Sequence, residues 1–142
     1  MSTLRQQVRN NAVALISLVV ALSSLGYNTW RNERTEHNRN IRTATFELLS
    51  KLAELERVVF LAQYDRDGSG GSPRTGWTYV LLIRDLSAVV PPPVPVRAAE
   101  LQKTWGENWG GLGKDDESSV NKIDDAIDKL REASLTTIKS LR

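Results

Sequence analysis

The hydrophobic pattern divides the chain at Trp30. From Asn11 to Trp30 the sequence carries no charge for about twenty residues, which as a helix of about 1.5 Å per residue matches the ~30 Å hydrocarbon core of a bilayer. Val13, Leu15, Ile16, Leu18, Val19, Val20, Leu22 and Leu25 each favour insertion by about 0.3–0.6 kcal/mol, and the interspersed Ser, Thr and Asn oppose this only in part. The pattern predicts a polar tail over 1–10 and a single transmembrane helix over 11–30. Tyr27 and Trp30 close the span as aromatic interface residues, followed by Arg31 and Arg34 on the aqueous side. The lipid bilayer is therefore the first expected partner.

A second pattern lies within the span. Asn10, Ala14, Ser17, Ala21, Ser24 and Asn28 recur at alternating steps of four and three, so one side of the helix is small or weakly polar. Such faces let membrane helices approach closely and hydrogen-bond, so Ala14, Ser17, Ala21, Ser24 and Asn28 are the candidate packing face. The same N-terminus also fits a cleaved signal peptide. Arg5 and Arg9 would be its charged region, Ala12 to Leu22 its apolar region, and Ala21-Leu22-Ser23 its cleavage site. Against that, the uncharged run continues past the site to an aromatic pair that a removed peptide does not need.

Beyond Trp30 the segment 31–40 is polar all round and free of Pro and Gly, which predicts a helical stalk continuing the span into water. From Ile41 the pattern becomes helical and apolar. Ile41, Thr45, Leu48, Leu52, Leu55, Val59 and Ala62 alternate steps of four and three, and Phe46, Leu49, Val58 and Leu61 widen the stripe beyond a two-stranded coiled-coil seam. Tyr64 to Gly76 then breaks the helix. Thr75 is the expected cap of a second helix over about 76–88, with Trp77, Tyr79, Leu82, Ile83 and Leu86 for burial. The run VVPPPVPV from Val89 to Val96 forms a stiff connector, and a third helix follows over about 95–109 with Ala98, Leu101, Trp105 and Trp109 on one face. Gly110, Gly111 and Gly113 stop it. A fourth helix over about 115–142 opens with Asp115, Asp116 and Glu117, carries Val120, Ile123, Ile127, Leu130, Ser134, Thr137 and Leu141, and closes with Lys139 and Arg142. The fold class is thus all-α: one N-terminal transmembrane helix continuing into an antiparallel, up-down-up-down four-helix bundle over 41–142.

Composition narrows the chemistry. The 142 residues carry 19 Lys and Arg against 17 Asp and Glu, interspersed, so no basic footprint for nucleic acid is present. There is no cysteine and one histidine, His37, so thiolate and most imidazole metal sites are excluded and no cofactor is expected. Asp65 to Gly70, DRDGSG, resembles the first half of an EF-hand calcium loop, with oxygen side chains at positions one, three and five and glycine at six. Position twelve, where that loop needs a bidentate Glu, is Gly76, and position nine is Pro73, so the segment reads as a turn. Asp124, Asp125 and Asp128 fall on the outward side of the fourth helix and read as a solvated acidic face.

These features point to a non-enzymatic, single-pass membrane protein. Its bundle is expected to bind a protein partner, as an accessory or assembly subunit of a membrane complex or as a homo-oligomer. The alternative is a membrane-anchored small-ligand sensor, with Trp77, Trp105 and Trp109 lining a pocket and Arg84 or Arg97 as charged contact. In outline the arrangement resembles the ligand-binding bundles of membrane-bound bacterial sensors, although it shares no motif with them. For orientation, Arg5 and Arg9 precede the span and Arg31, Arg34, Arg39 and Arg42 follow it. The count leans towards a cytoplasmic bundle, with an exported one nearly as well supported.

Overall fold

The computed structural model describes residues 6, 7, 9, 11–65, 71–114 and 116–141. Asn10 of the small-residue stripe, Arg5 of the signal-peptide reading, most of the DRDGSG segment, Asp115 and Arg142 lie outside the described residues. Among those described there are four long helices and no strand: α1 (Ala12–Phe60), α2 (Pro73–Ser87), α3 (Val94–Asn108) and α4 (Glu117–Ser140). A π-helical turn, Leu61–Asp65, ends α1, and a 3-10 turn, Trp109–Gly111, ends α3. The chain forms two compact units, Met1–His37 and Asn38–Arg142.

In the second unit the core follows the apolar stripes. Ile41, Thr45, Leu48, Leu52, Leu55, Val59 and Ala62 are all buried on α1, with Ala44 and Val58 beside them. From α4 come Val120, Ile123, Ala126, Ile127, Leu130 and Ala133. Helix α3 packs against both α2 and α4 and sends Val94, Ala98, Leu101 and Trp105 inward. The buried polar side chains mostly satisfy themselves locally. Thr45 Oγ1 donates to the Ile41 carbonyl at 2.7 Å, Thr137 Oγ1 to Ala133 at 2.9 Å and Asn108 Nδ2 to Thr104 at 2.8 Å.

Helix α2 starts three residues before the expected position. Ser72 sits at its N-cap and Pro73 opens its first turn, where a missing N–H costs nothing and a fixed φ suits the helix. Thr75 consequently lies inside the helix, and so does Gly76. That glycine faces Trp105, whose ring carbons Cζ2 and Cη2 occupy the space a Cβ at position 76 would need. The adjacent pair is arranged reciprocally: Trp77 lies over Gly106 of α3, with its Cη2 3.5 Å from where a Cβ would stand. Each helix thus offers a glycine to the other's tryptophan.

Two loop contacts hold the end of α1. A Cβ on Gly71 would stand 2.6 Å from the Ala62 nitrogen, so the chain passes directly over the π turn there. Gly113 has φ of 77°, a left-handed conformation that glycine adopts without strain, and its N–H donates to Gln63 Oε1 at 3.3 Å. Elsewhere along α1, Arg42 Nη2 donates to the Leu141 carbonyl at 3.2 Å and Glu56 Oε2 meets Arg131 Nη2 at 2.6 Å.

The two tryptophan–glycine contacts make different demands. Gly76→Ala must displace the fully buried Trp105 ring and is expected to destabilise the fold by about 1–3 kcal/mol, even though alanine is the better helix former. Gly106→Ala meets only ordinary van der Waals contact and is expected to be neutral or stabilising by up to about 1 kcal/mol. Thermal melts followed by circular dichroism separate the two variants.

Candidate functional site

Two regions hold the residues singled out by the sequence. The first is the N-terminal part of α1, which is long and apolar enough to cross a membrane. Helical spacing brings Ala14, Ser17, Ala21, Ser24 and Asn28 onto one side, and all five are exposed. The large residues around them are exposed as well: Val13 is 79% accessible, Ile16 64% and Leu25 65%, and none of the most apolar stretch is buried by the chain itself. At its end, the Tyr27 and Trp30 rings lie 6.2 Å apart, and the Arg34 guanidinium carbon sits 5.7 Å from the Trp30 ring centre. Thr35 Oγ1 donates to the Arg31 carbonyl at 2.9 Å, so the residue beside Arg34 turns its hydroxyl back onto the helix.

The second region is the tryptophan cluster between α2 and α3. Trp105 is fully buried, whereas Trp77 and Trp109 are half-buried and meet edge to face at 6.5 Å and 74°. The rings fill the space left by Gly76 and Gly106. Among the described residues Trp105 Nε1 has no acceptor, which costs about 1–3 kcal/mol against the burial of the ring. Of the two arginines expected near these rings, Arg97 is held by Glu100 at 2.6 Å and lines a groove on the far side of α3. Arg84 is half-buried on α2, and its carbonyl accepts from Ser87 Oγ.

That groove, about 490 Å³, runs between α3 and α4. Its floor includes Ala126, and its rims carry Lys103, Glu107, Lys122, Asp125 and Lys129. A smaller groove of about 220 Å³ shares Arg97 and Lys129 with it and continues to Pro93 and Thr136. Charges of both signs alternate along these rims, with Lys129 on Asp125 at 2.5 Å and Lys103 near Glu107 at 3.9 Å. The helical spacing of each pair is legible in the sequence. The groove itself is not, because it depends on how α3 lies against α4.

The acidic residues of α4 divide between roles. Asp116 caps the helix: its Oδ1 accepts from the Ser119 N–H at 3.2 Å and its Oδ2 from Ser119 Oγ at 2.6 Å. The Ser119 hydroxyl, followed by its backbone N–H, holds this carboxyl below the ordinary range. Asp125 pairs with Lys129, and Asp128 with Arg131 at 2.6 Å. Arg131 also reaches Glu56, so one guanidinium ties α4 to α1. Asp124 is half-buried beside this group, and not fully outward as its helical position suggests. Its partial burial, then the charges of Glu56 and Asp128, push its carboxyl above the ordinary range against the pull of Arg131. Among the described residues no three His, Asp or Glu side chains converge as metal ligands would.

Comparison with protein-family models, curated proteins and solved structures finds no match to this chain. The geometry alone therefore bears on function.

The Asp124 carboxyl gives a pH-dependent outcome. A carboxyl whose pKa is raised by folding destabilises the fold while ionised. That cost is absent below the ordinary carboxylate range and builds as the pH rises through the shifted value. Asp124→Asn is expected to raise the melting temperature at neutral pH and to lose this advantage as the pH falls through the carboxylate range. Melts across a pH series measure it; an advantage undiminished in acid would show that repulsion and burial of the charge are not its source.

Proposed function

We propose that the protein is a non-enzymatic, single-pass membrane protein. Its C-terminal helices form an antiparallel, up-down-up-down bundle that binds a protein partner, either as an accessory or assembly subunit of a membrane complex or as a homo-oligomer. The carrying observation is the exposure of Val13, Leu15, Ile16, Leu18, Val19, Val20, Leu22 and Leu25 on α1, none covered by the chain. Apolar surface on that scale is costly in water at about 25 cal/mol per Å² and costs little in lipid. The small face of Ala14, Ser17, Ala21, Ser24 and Asn28 suits a neighbouring membrane helix.

The antiparallel arrangement has support of its own. Contacts pair residues 42 with 141, 56 with 131, and 63 with 113, so the partner number falls as the position on α1 rises. Apolar side chains also remain on the outer surface of the helical unit, including Leu81, Leu82 and Val89 on and after α2 and Phe60 beside Tyr64 at the end of α1. They give a protein partner apolar contact area.

Two measurements test this reading in sequence. Alkaline carbonate extraction of membranes is expected to leave the full-length protein in the pellet. Release into the supernatant would overturn the anchor. Purification in mild detergent, with mass spectrometry of what accompanies the chain, is expected to give a stoichiometric membrane partner or a defined oligomer. Ala21→Ile, which sets a bulky side chain into the small face, is expected to weaken that association roughly tenfold, a change of about 1.4 kcal/mol. A clean monomer that holds no partner would overturn the subunit and oligomer readings.

A further inference from the structure

We infer that the side of α1 formed by Tyr27, Trp30, Arg31 and Arg34 binds the phosphate groups of anionic phospholipids at the membrane surface. The inference rests on α1 spanning a bilayer. The four residues stand at i, i+3, i+4 and i+7, the spacing that places side chains on one side of a helix. Counted along the chain, Glu33 and Glu36 offset the two arginines; around the helix they do not. Glu36 lies about 180° from Tyr27, and Glu33 lies about 160° from Arg31 and about 100° from Arg34, at the Trp30 edge of this side, so neither acid stands between the two arginines. Among the described residues neither guanidinium is ion-paired to an acid, and both side chains are exposed.

The direction of the side chains completes the match. Cα–Cβ bonds of a helix tilt towards its N-terminus, so arginines that follow a span lean back towards the lipid they have just left. Arg34 does so, resting over the Trp30 ring at 5.7 Å. Trp30 and Tyr27 belong at headgroup depth, which sets the guanidinium at the level of the phosphates. The planar fork of arginine donates two hydrogen bonds to one phosphate, and stacking on the indole limits the rotamers lost in doing so. An arginine near an anionic surface favours association about fivefold.

The test uses the full-length protein reconstituted in phosphatidylcholine vesicles that contain trace spin-labelled phosphatidylglycerol or trace spin-labelled phosphatidylcholine. The motionally restricted fraction in the electron paramagnetic resonance spectrum reports how each lipid associates with the protein. We expect a several-fold preference for phosphatidylglycerol that weakens with added salt, and near-equal association for Arg31→Gln/Arg34→Gln. A second variant moves the arginines to the opposite side at constant net charge: Arg31→Asn, Asn32→Arg, Arg34→Glu and Glu36→Arg. It is expected to lose most of the preference, because its relocated arginines stand about 120° or more around the helix from both rings. Equal association of both lipids with the wild-type protein, or a full preference retained by the exchanged variant, overturns the inference and leaves the anchor standing. No restricted component for either lipid means that α1 does not span, and removes the anchor and the inference together.

Discussion

The Trp105 ring can be buried only because position 76 has no side chain. With the indole seated on the α2 backbone, α2 and α3 approach at a register fixed to a single residue, since a shift along either helix would set the ring against a Cβ. Trp77 over Gly106 repeats the contact in the opposite sense a few ångströms away. Helix α3 is then held from one side by tryptophan–glycine packing and from the other by α4, with Leu101 of α3 and Ile123, Ile127 and Leu130 of α4 fully or almost fully buried. The Trp105 N–H, which has no acceptor among the described residues, is the cost of this arrangement, and the gain from burying the indole offsets it.

Polar interactions do their part at the ends of the helices. Asp116, Ser119 and Asn108 lie together where α3 gives way to α4, the Ser119 hydroxyl standing 2.6 Å from Asp116 Oδ2 and 3.5 Å from Asn108 Oδ1. A Cβ at Gly111 would stand 2.6 Å from both the Asp116 carboxylate and the Ser119 hydroxyl, so that glycine admits the cap. Across the unit, Arg131 alone joins Glu56 and Asp128. Its side chain is about a third exposed, so solvent screening keeps its worth near the ordinary surface value of about 0–1 kcal/mol. Packing therefore sets the stability of this unit, and charge adjusts it.

Much of this was legible in the sequence where a helix writes its own periodicity. All seven residues of the Ile41 to Ala62 series are buried, as are Val120, Ile123, Ile127, Leu130, Ser134 and Thr137 on α4. The pattern errs at the margins of a stripe, where the neighbour's width decides burial. Phe46 and Leu82 are 56% and 40% exposed, while Val80, not among the expected core residues, is fully buried. The sequence pattern sets the start of α2 three residues late, because proline reads equally as a helix breaker and as a first-turn residue, and only tertiary context chooses between them. Gly76 looked like loop punctuation; its role depends on a tryptophan 29 positions away. The Glu56–Arg131 contact and the α3–α4 groove likewise join residues that no local pattern links. The aromatic-basic side of α1 was visible as single residues, and it emerges as one surface only when angle around the helix replaces order along the chain.

The tryptophan–glycine exchange also bears on how this chain can vary. Positions 76 and 105 are not two independent choices. A side chain at 76 is best accommodated by a smaller or differently shaped residue at 105, and a tryptophan at 105 strongly favours glycine at 76. Positions 77 and 106 are linked less tightly, since a methyl group fits at 106. Divergent copies of this fold should therefore show strong covariation at the first pair and weak covariation at the second, a signature of this packing even where the rest of the sequence has drifted.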